Sequence, residues 1–325
     1  MLQKIVYCLL GVSFSIIVSS YNPASTGRNP APAAERPMPR KPGIKTIIID
    51  AGHGGRDRGA RGDFSFEKDI CLAIALKLGK KMEQEFPDIK ILYTRTGDTY
   101  PAIKARADFA NSHKGDLFIS IHANAAPKIR HSQFAGYKTQ VYYTRKGKKR
   151  IKHTRRVKKY KVYYTDNPSR GTETYIWAAD RSKIKDEFVS ERMAGEVNDS
   201  LEDAPDINDP AFRAKSLLWT KRYFNKSLLL AGLVQQEVAK EGRFNRGVKQ
   251  RNEKGIWVLQ ATAMPSILVE TGYITHRADE NYLNSKKGQE EMASAIVNAV
   301  KQYRNESQPL SSKETKHRIQ GTSRS

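Results

Sequence analysis

IIIDAGHGG, residues 47–55, decides the fold. Three isoleucines followed by Asp50 and Ala51 make a β-branched apolar run of strand length, and it stops in a glycine turn that carries His53. A continuous apolar run of this kind suits a strand buried on both faces, as in parallel sheets. Two later runs repeat the pattern: LFISIH, residues 117–122, ends on His122, and SILVE, residues 266–270, ends on Glu270. An amphipathic segment over 67–86 opens on Glu67 and repeats Ile70, Ile74, Leu78 and Met82 at every fourth position, which predicts a helix. A strand follows over 90–94. A second helix is expected over 101–112, with Pro101 at a tolerated early position and Ile103, Ala107 and Ala110 on one face. This alternation predicts an α/β fold, a mostly parallel twisted sheet with helices on both faces. Ligands of such sheets gather outside the C-terminal ends of the strands, where His53, His122 and Glu270 stand.

Two imidazoles, a helix-start carboxylate and a spare carboxylate are the parts of a zinc hydrolase. Zinc takes His nitrogen and carboxylate oxygen, and a catalytic site keeps a position for water. A carboxylate outside the metal's ligands can take a water proton and pass it to a leaving amine. Glu270 suits that role, because the apolar strand before it would bury its base. Each residue alone has an ordinary explanation: a strand-end histidine is usually just a satisfied polar group, and a glutamate opening a helix complements the helix dipole. Their joint placement at element termini favours the site. Asp50 and Asp69 are candidates to orient the imidazoles. Gly52, Gly54 and Gly55 let the backbone approach closely; no Gly-Lys-Ser/Thr follows, so this is not a phosphate-binding loop. His113, His131, His153, His276 and His317 read as surface residues.

The centre of the chain differs in character. Strands are expected over 137–144 and 162–165, with Tyr160, Tyr163 and Tyr164 fitting strand packing. Residues 145–161 hold 11 Lys or Arg and no acid, which predicts an inserted basic hairpin. A polar stretch of helical character covers 172–201, a loop rich in Asp and Pro follows, and a long helix spans 209–241. The α/β pattern resumes at 255–260 and 266–270 and closes with a helix near 287–304. Residues 145–226 are thus an insert, with helices of regulatory type, in a catalytic domain over 44–304. The polar tail, 305–325, is expected to be disordered.

The net charge of the 325 residues is +23, which calls for an anionic partner, and the hydrophobic share of 38% leaves parts of the chain unpacked. Lys4, an apolar run over 5–18 and small residues at Ser19 and Ser20 read as a signal peptide, residues 1–20. The run is shorter than the roughly 20 apolar residues of a membrane span, although an uncleaved anchor is the alternative. Export, most simply to a periplasm, argues against nucleic acid as the partner of the basic segment and favours an anionic envelope polymer or lipid. Residues 21–43 are a proline-rich linker. With Cys8 lost in the leader, Cys71 has no partner and reads as a small buried hydrophobe.

Five ordered blocks carry a family resemblance: IIIDAGHGGRDRGARG (47–62), FEKDICLAIALKL (66–78), YTRTGDTYPAIKARADFAN (93–111), GDLFISIHANAAP (115–127) and MPSILVETGYITH (264–276). They resemble the zinc-dependent N-acetylmuramoyl-L-alanine amidases of the family-3 type, over roughly 45–144 and 228–304. Ala51 stands where the family has Pro, and His276 where it often has Asn. The resemblance implies His53, Glu67 and His122 as ligands of one zinc and Glu270 as the catalytic glutamate. Asn124 and Asp50 become candidates to touch substrate or to position the ligands. The implied reaction is hydrolysis of the amide between the lactyl group of N-acetylmuramic acid and L-alanine of the peptidoglycan stem peptide. A zinc peptidase acting on stem-peptide bonds, or a non-catalytic wall-binding module, would use the same fold.

Cell-division amidases of this type carry a helical insert that covers the site until an activator with a LytM-type domain relieves it. In that subgroup the insert helix often reads Ala-x-x-Glu-Asn-x-x-Asp. This chain has ADRSKIKD over 179–186, with Ser182 in place of the glutamate and Glu187 as the nearby substitute. A gate over 172–226 is the resulting expectation.

Overall fold

The computed structural model describes residues 43–198 and 206–307. The leader over 1–20, the linker up to residue 42 and the tail from 308 lie outside the described residues. In chain order the elements are β1 (Thr46–Ala51), α1 (Glu67–Glu85), β2 (Lys90–Tyr93), α2 (Ile103–Ser112), β3 (Leu117–Asn124), β4 (Ile129–Lys146), β5 (Lys149–Thr165), β6 (Thr172–Ile176), α3 (Ser182–Asn198), α4 (Pro210–Lys240), β7 (Asn245–Gln250), α5 (Trp257–Ala261), β8 (Ser266–Tyr273), α6 (Arg277–Asn284) and α7 (Lys286–Glu306).

Six strands form the main sheet in the order β2-β1-β3-β8-β6-β7. The first four are parallel, β6 runs antiparallel to β8, and β7 is parallel to β6. Alternation sorts the side chains. Ile47, Ile49, Leu117, Ile119, Ile267 and Val269 face one core, which α1, α4 and α7 close. Ile48, Phe118 and Leu268 face a second, smaller core with Ala110 of α2 and Leu259 of α5. Both faces are covered, as the apolar runs predict. Cys71 is fully buried in the first core, and burial pushes its thiol up.

Two strands were not legible. Residues 172–176, expected to be helical, are β6, and β7 occupies a stretch with one aliphatic residue. β6 buries polar side chains whose needs are met locally: Thr172 Oγ1 donates to the Thr271 carbonyl at 3.1 Å, and Gln235 Nε2 donates to Thr174 Oγ1 at 2.8 Å. Residues 257–261 are helix, not the continuation of a strand. The long helix appears as expected: Asp209 caps α4 by accepting from Phe212 N at 2.8 Å, with Pro210 in the first turn.

The basic insert is longer than 145–161. β4 and β5 pair from Ile129 with Thr165 to Lys146 with Lys149, and only Gly147 and Lys148 form the tip. Tyr160, Tyr163 and Tyr164 do not fit into a packed sheet; they are exposed on this ribbon. Among the described residues no helix is long and apolar enough to cross a membrane.

Of the expected gate over 172–226, residues 199–205 lie outside the described residues, and the helix after β6 stands away from Glu270. β6 leads away from Glu270, since it pairs Glu173 with Glu270 and then Tyr175 with Leu268. α3 therefore docks at the other end of the sheet. Lys185 Nζ donates to the carbonyls of Leu259 (2.9 Å) and Met264 (2.7 Å), and Arg192 Nη1 donates to that of Gly115 (2.6 Å), just before β3 begins. Glu187 is exposed on that helix, and Ser182 Oγ donates to the Ala179 carbonyl at 2.8 Å. Neither reaches the strand ends that carry His122 and Glu270.

Candidate functional site

β1 ends at Ala51, and the backbone turns through Gly52 to His53, which holds a left-handed φ of 58°. That conformation is uncommon for any residue but glycine, even though histidine tolerates it better than most, and it costs about 1 kcal/mol, so the surroundings must hold it. They do so through two buried arginines. Arg106 donates to the carbonyls of Ala51 and His53, each at 2.6 Å, and Arg95 donates to those of Ala51 (2.9 Å) and Gly52 (2.7 Å). Asp50 anchors Arg106 at 2.6 Å and also accepts from Thr94 Oγ1 and Ser120 Oγ, both at 2.6 Å. Burial works against ionisation of Asp50, yet Arg106 and the two hydroxyls hold its carboxyl below the usual range. Asp50 thus fixes the turn and not an imidazole. Asp69 is exposed and does not orient one either. The carboxylate that holds His53 is Asp57, whose Oδ2 lies 2.9 Å from Nδ1.

The three expected ligand residues converge. Glu67 Oε1 lies 3.1 Å from His53 Nε2 and 2.9 Å from His122 Nδ1. The ligand atoms of His53, Glu67 and His122 all lie within 4.8 Å of one another. Two backbone amides fix the carboxylate: Ala60 N donates to Oε2 at 2.8 Å and Ala123 N to Oε1 at 3.2 Å. The imidazole of His122 lies on Gly52, where a Cβ would come within 2.4 Å of Cε1. Gly52 therefore makes room for the His122 ring, which is more specific than the general flexibility of a glycine turn.

The electrostatics favour a cation. Burial opposes protonation of His53, but Glu67 and Asp57 outweigh it and raise its pKa to about 9. Burial also opposes ionisation of Glu67, yet both imidazoles hold its carboxyl far below the usual range. Two nitrogens and a buried anionic oxygen thus face one point, and the donor set of two His and one Glu matches catalytic zinc. The residues fit such an ion, and Asp57 fixes the tautomer that leaves His53 Nε2 for it.

Glu270 lies directly opposite His122 in the β3–β8 register. It is 8% exposed, and its Oε2 has no hydrogen-bond partner. Burial pushes its carboxyl up to about 7, with Glu67 adding to the rise and His122 opposing it. A carboxylate poised near neutrality with a free oxygen is equipped for proton transfer.

Across the sheet, Glu173 pairs with Glu270, so His122, Glu270 and Glu173 form one row. Glu173 is buried and accepts from Tyr273 OH and Tyr175 OH, each at 2.7 Å, and from Arg246 Nε. Asn124 Nδ2 lies 3.4 Å from Glu173 Oε2, which places this candidate at the row's edge. Asp57, Glu173 and Arg246 escaped the reading of the sequence. Asp57 had a signal, an acid four residues after His53 in a glycine loop; Glu173 and Arg246 lie on the two strands that were missed.

Comparisons with known proteins bear on this geometry. The family described as N-acetylmuramoyl-L-alanine amidase, Amidase_3, matches residues 47–302. The amidase AmiC of Escherichia coli O6:H1 is 30% identical over 292 residues, 88% of this chain and 60% of that protein. The chain thus spans less than two thirds of that relative's length. A crystal structure of an N-acetylmuramoyl-L-alanine amidase from Clostridium difficile 630 is similar, with a TM-score of 0.52 and 25% identity over 82% of this chain and 100% of that one. AmiC2 of Nostoc punctiforme shares the fold with a TM-score of 0.50, 23% identity, and coverage of 80% of this chain and 97% of that one.

Proposed function

Because this chain belongs to the N-acetylmuramoyl-L-alanine amidase family, we propose that it is an exported, zinc-dependent peptidoglycan hydrolase. It cleaves the amide between N-acetylmuramic acid and L-alanine of the stem peptide, in cell-wall remodelling and daughter-cell separation. The observation that carries this reading is the convergence of His53, Glu67 and His122 beside a buried, unpaired oxygen of Glu270.

His53 Nε2, His122 Nδ1 and a Glu67 oxygen would hold one zinc. When bound, zinc supplies a Lewis acid that polarises a carbonyl and makes water more acidic. The protein's own residues do the rest. Asp57 fixes the His53 ring, and the amides of Ala60 and Ala123 fix Glu67. Glu270 takes the proton of the attacking water on its free oxygen and gives it to the departing amine of L-alanine. Burial raises its pKa above that of an ordinary glutamate, which suits a group that must both take and give a proton. Asn124, at the edge of the row beside Glu270, serves substrate placement, while the Tyr273 and Tyr175 hydroxyls hold Glu173. A LytM-type activator belongs with the division role, although α3 and Glu187 give it no lock to lift at Glu270.

Export to the periplasm rests on the leader at 1–20. Metal dependence is tested by zinc analysis and activity on purified sacculi. One zinc per chain, loss of activity on chelation and its return with zinc are expected. Full activity in metal-free protein would sink the proposal.

A further inference from the structure

The β4–β5 ribbon takes no part in the site. Residues 129–165 hold 13 Lys or Arg and no Asp or Glu. Neither strand is built against the main sheet, since the two form a sheet of their own. At about 3.4 Å per residue, the 18 residues of β4 reach roughly 60 Å. An isolated two-stranded ribbon is marginal in water, so so long a one, with its surface given to charge and aromatics, needs a reason.

Register divides the outer half into two faces. On one, the pairs are Tyr137–Lys158, Thr139–Arg156, Val141–Thr154, Tyr143–Lys152 and Arg145–Arg150. This face is largely segregated below its tip. β4 contributes a column of Tyr137, Val141 and Tyr143, with Thr139 among them and Arg145 at the tip, and β5 contributes a column of Arg150, Lys152, Arg156 and Lys158, with Thr154 among them. The columns touch: the Arg150 guanidinium lies 4.1 Å from the Tyr143 ring centre and that of Arg156 lies 4.2 Å from that of Tyr137. Stacking covers one face of each ring and leaves the guanidinium edges free for bidentate contact with phosphate. Tyr137 and Tyr143 are each 50% exposed and Val141 is 45% exposed, so the apolar column meets solvent.

We propose that this face docks on an anionic phospholipid bilayer. The basic column meets headgroup phosphates, while the tyrosines and Val141 enter the interfacial layer, where phenols are favoured. Charge alone would equally suit a soluble polyanion. The exposed aliphatic Val141 between the tyrosines weighs for lipid, because it gains from an apolar layer and cannot stack on a base or a sugar ring. The inference rests on the export proposed above, which brings the ribbon to envelope lipids. It would hold the catalytic domain beside a membrane surface.

The test is sedimentation of the full chain with phosphatidylglycerol vesicles and with neutral phosphatidylcholine vesicles. The apolar residues 5–18 act alike on both, so the difference isolates charge. Each cation at the surface contributes about fivefold. Replacing Arg150, Lys152, Arg156 and Lys158 with Gln should therefore weaken phosphatidylglycerol binding at least about a hundredfold, and Arg150→Lys with Arg156→Lys should restore most of it. Thermal melting and hydrolysis of soluble muropeptide should not change, which separates this result from a folding defect and from failure of the amidase reading. Binding unchanged by the four substitutions, or equal binding to neutral vesicles, overturns the proposal. So does ribbon-dependent binding of polyphosphate or duplex oligonucleotide without binding of phosphatidylglycerol.

Discussion

Replacing Glu270 with Gln separates two effects that the structure ties to one oxygen. Without its proton carrier the enzyme should lose about 10²- to 10⁴-fold in turnover, while zinc content stays the same because Glu270 is not a ligand residue. Stability should move the other way. Burial raises the Glu270 pKa from 4.5 to about 7. At 1.36 kcal/mol per pH unit, the ionised carboxylate costs the folded state about 3 kcal/mol. The sign follows from the raised pKa: the cost is absent below about pH 4.5, grows as pH rises to 7 and is constant above it. Glutamine is neutral throughout, but its amide nitrogen would lack a partner and give back about 1 kcal/mol or more. The net gain at pH 8 is about 1–2 kcal/mol, or roughly 2–4 °C in Tm for each kcal/mol. The assay is thermal melting of chelated protein at pH 5 and pH 8, because a bound cation would itself lower the Glu270 pKa. A Tm difference that does not grow with pH, or a variant with full turnover, would refute the assignment.

Other outcomes follow from single contacts. Gly52→Ala puts a methyl 2.4 Å from His122 Cε1, so zinc affinity should fall, measured by competition with a chromogenic chelator, while the core stays folded. Asp57→Asn removes the charge that holds His53 Nδ1; metal affinity should drop about 10- to 100-fold by the same titration. Lys185→Met strands the buried carbonyl of Met264, whereas that of Leu259 keeps the Thr262 and Ser266 hydroxyls. Urea unfolding should show a loss of about 1–3 kcal/mol, with activity per folded molecule unchanged.

The parts of the fold legible in the sequence are those built on apolar pattern. β1, β3 and β8 are continuous aliphatic runs, and α1 and α7 repeat at helical spacing, so the sheet's centre and the ligand residues at its ends could be placed. β6 and β7 could not: β6 meets the needs of buried Thr172, Glu173 and Thr174 with hydrogen bonds in place of apolar side chains, and β7 is an edge strand with Val248 as its one aliphatic residue. The partners of the site were hidden for a related reason. Asp50 lies three residues before His53 but points into Arg106, whereas Asp57, four residues after it, returns to it through a turn that only the backbone reveals. The docking of α3 depends on the direction of β6, so reading one short strand as helix hid where α3 and Glu187 lie. The ribbon's charge was plain, but its length was not, since aromatics on an exposed strand look like those of a buried one.

The most direct measurement is mass spectrometry of the products released from purified sacculi by the zinc-loaded enzyme. The account predicts free stem peptides beginning at L-alanine and glycan strands with bare lactyl groups, both absent with Glu270→Gln. Fragments cut within the stem peptide, or intact sacculi after digestion by zinc-loaded protein, would contradict it.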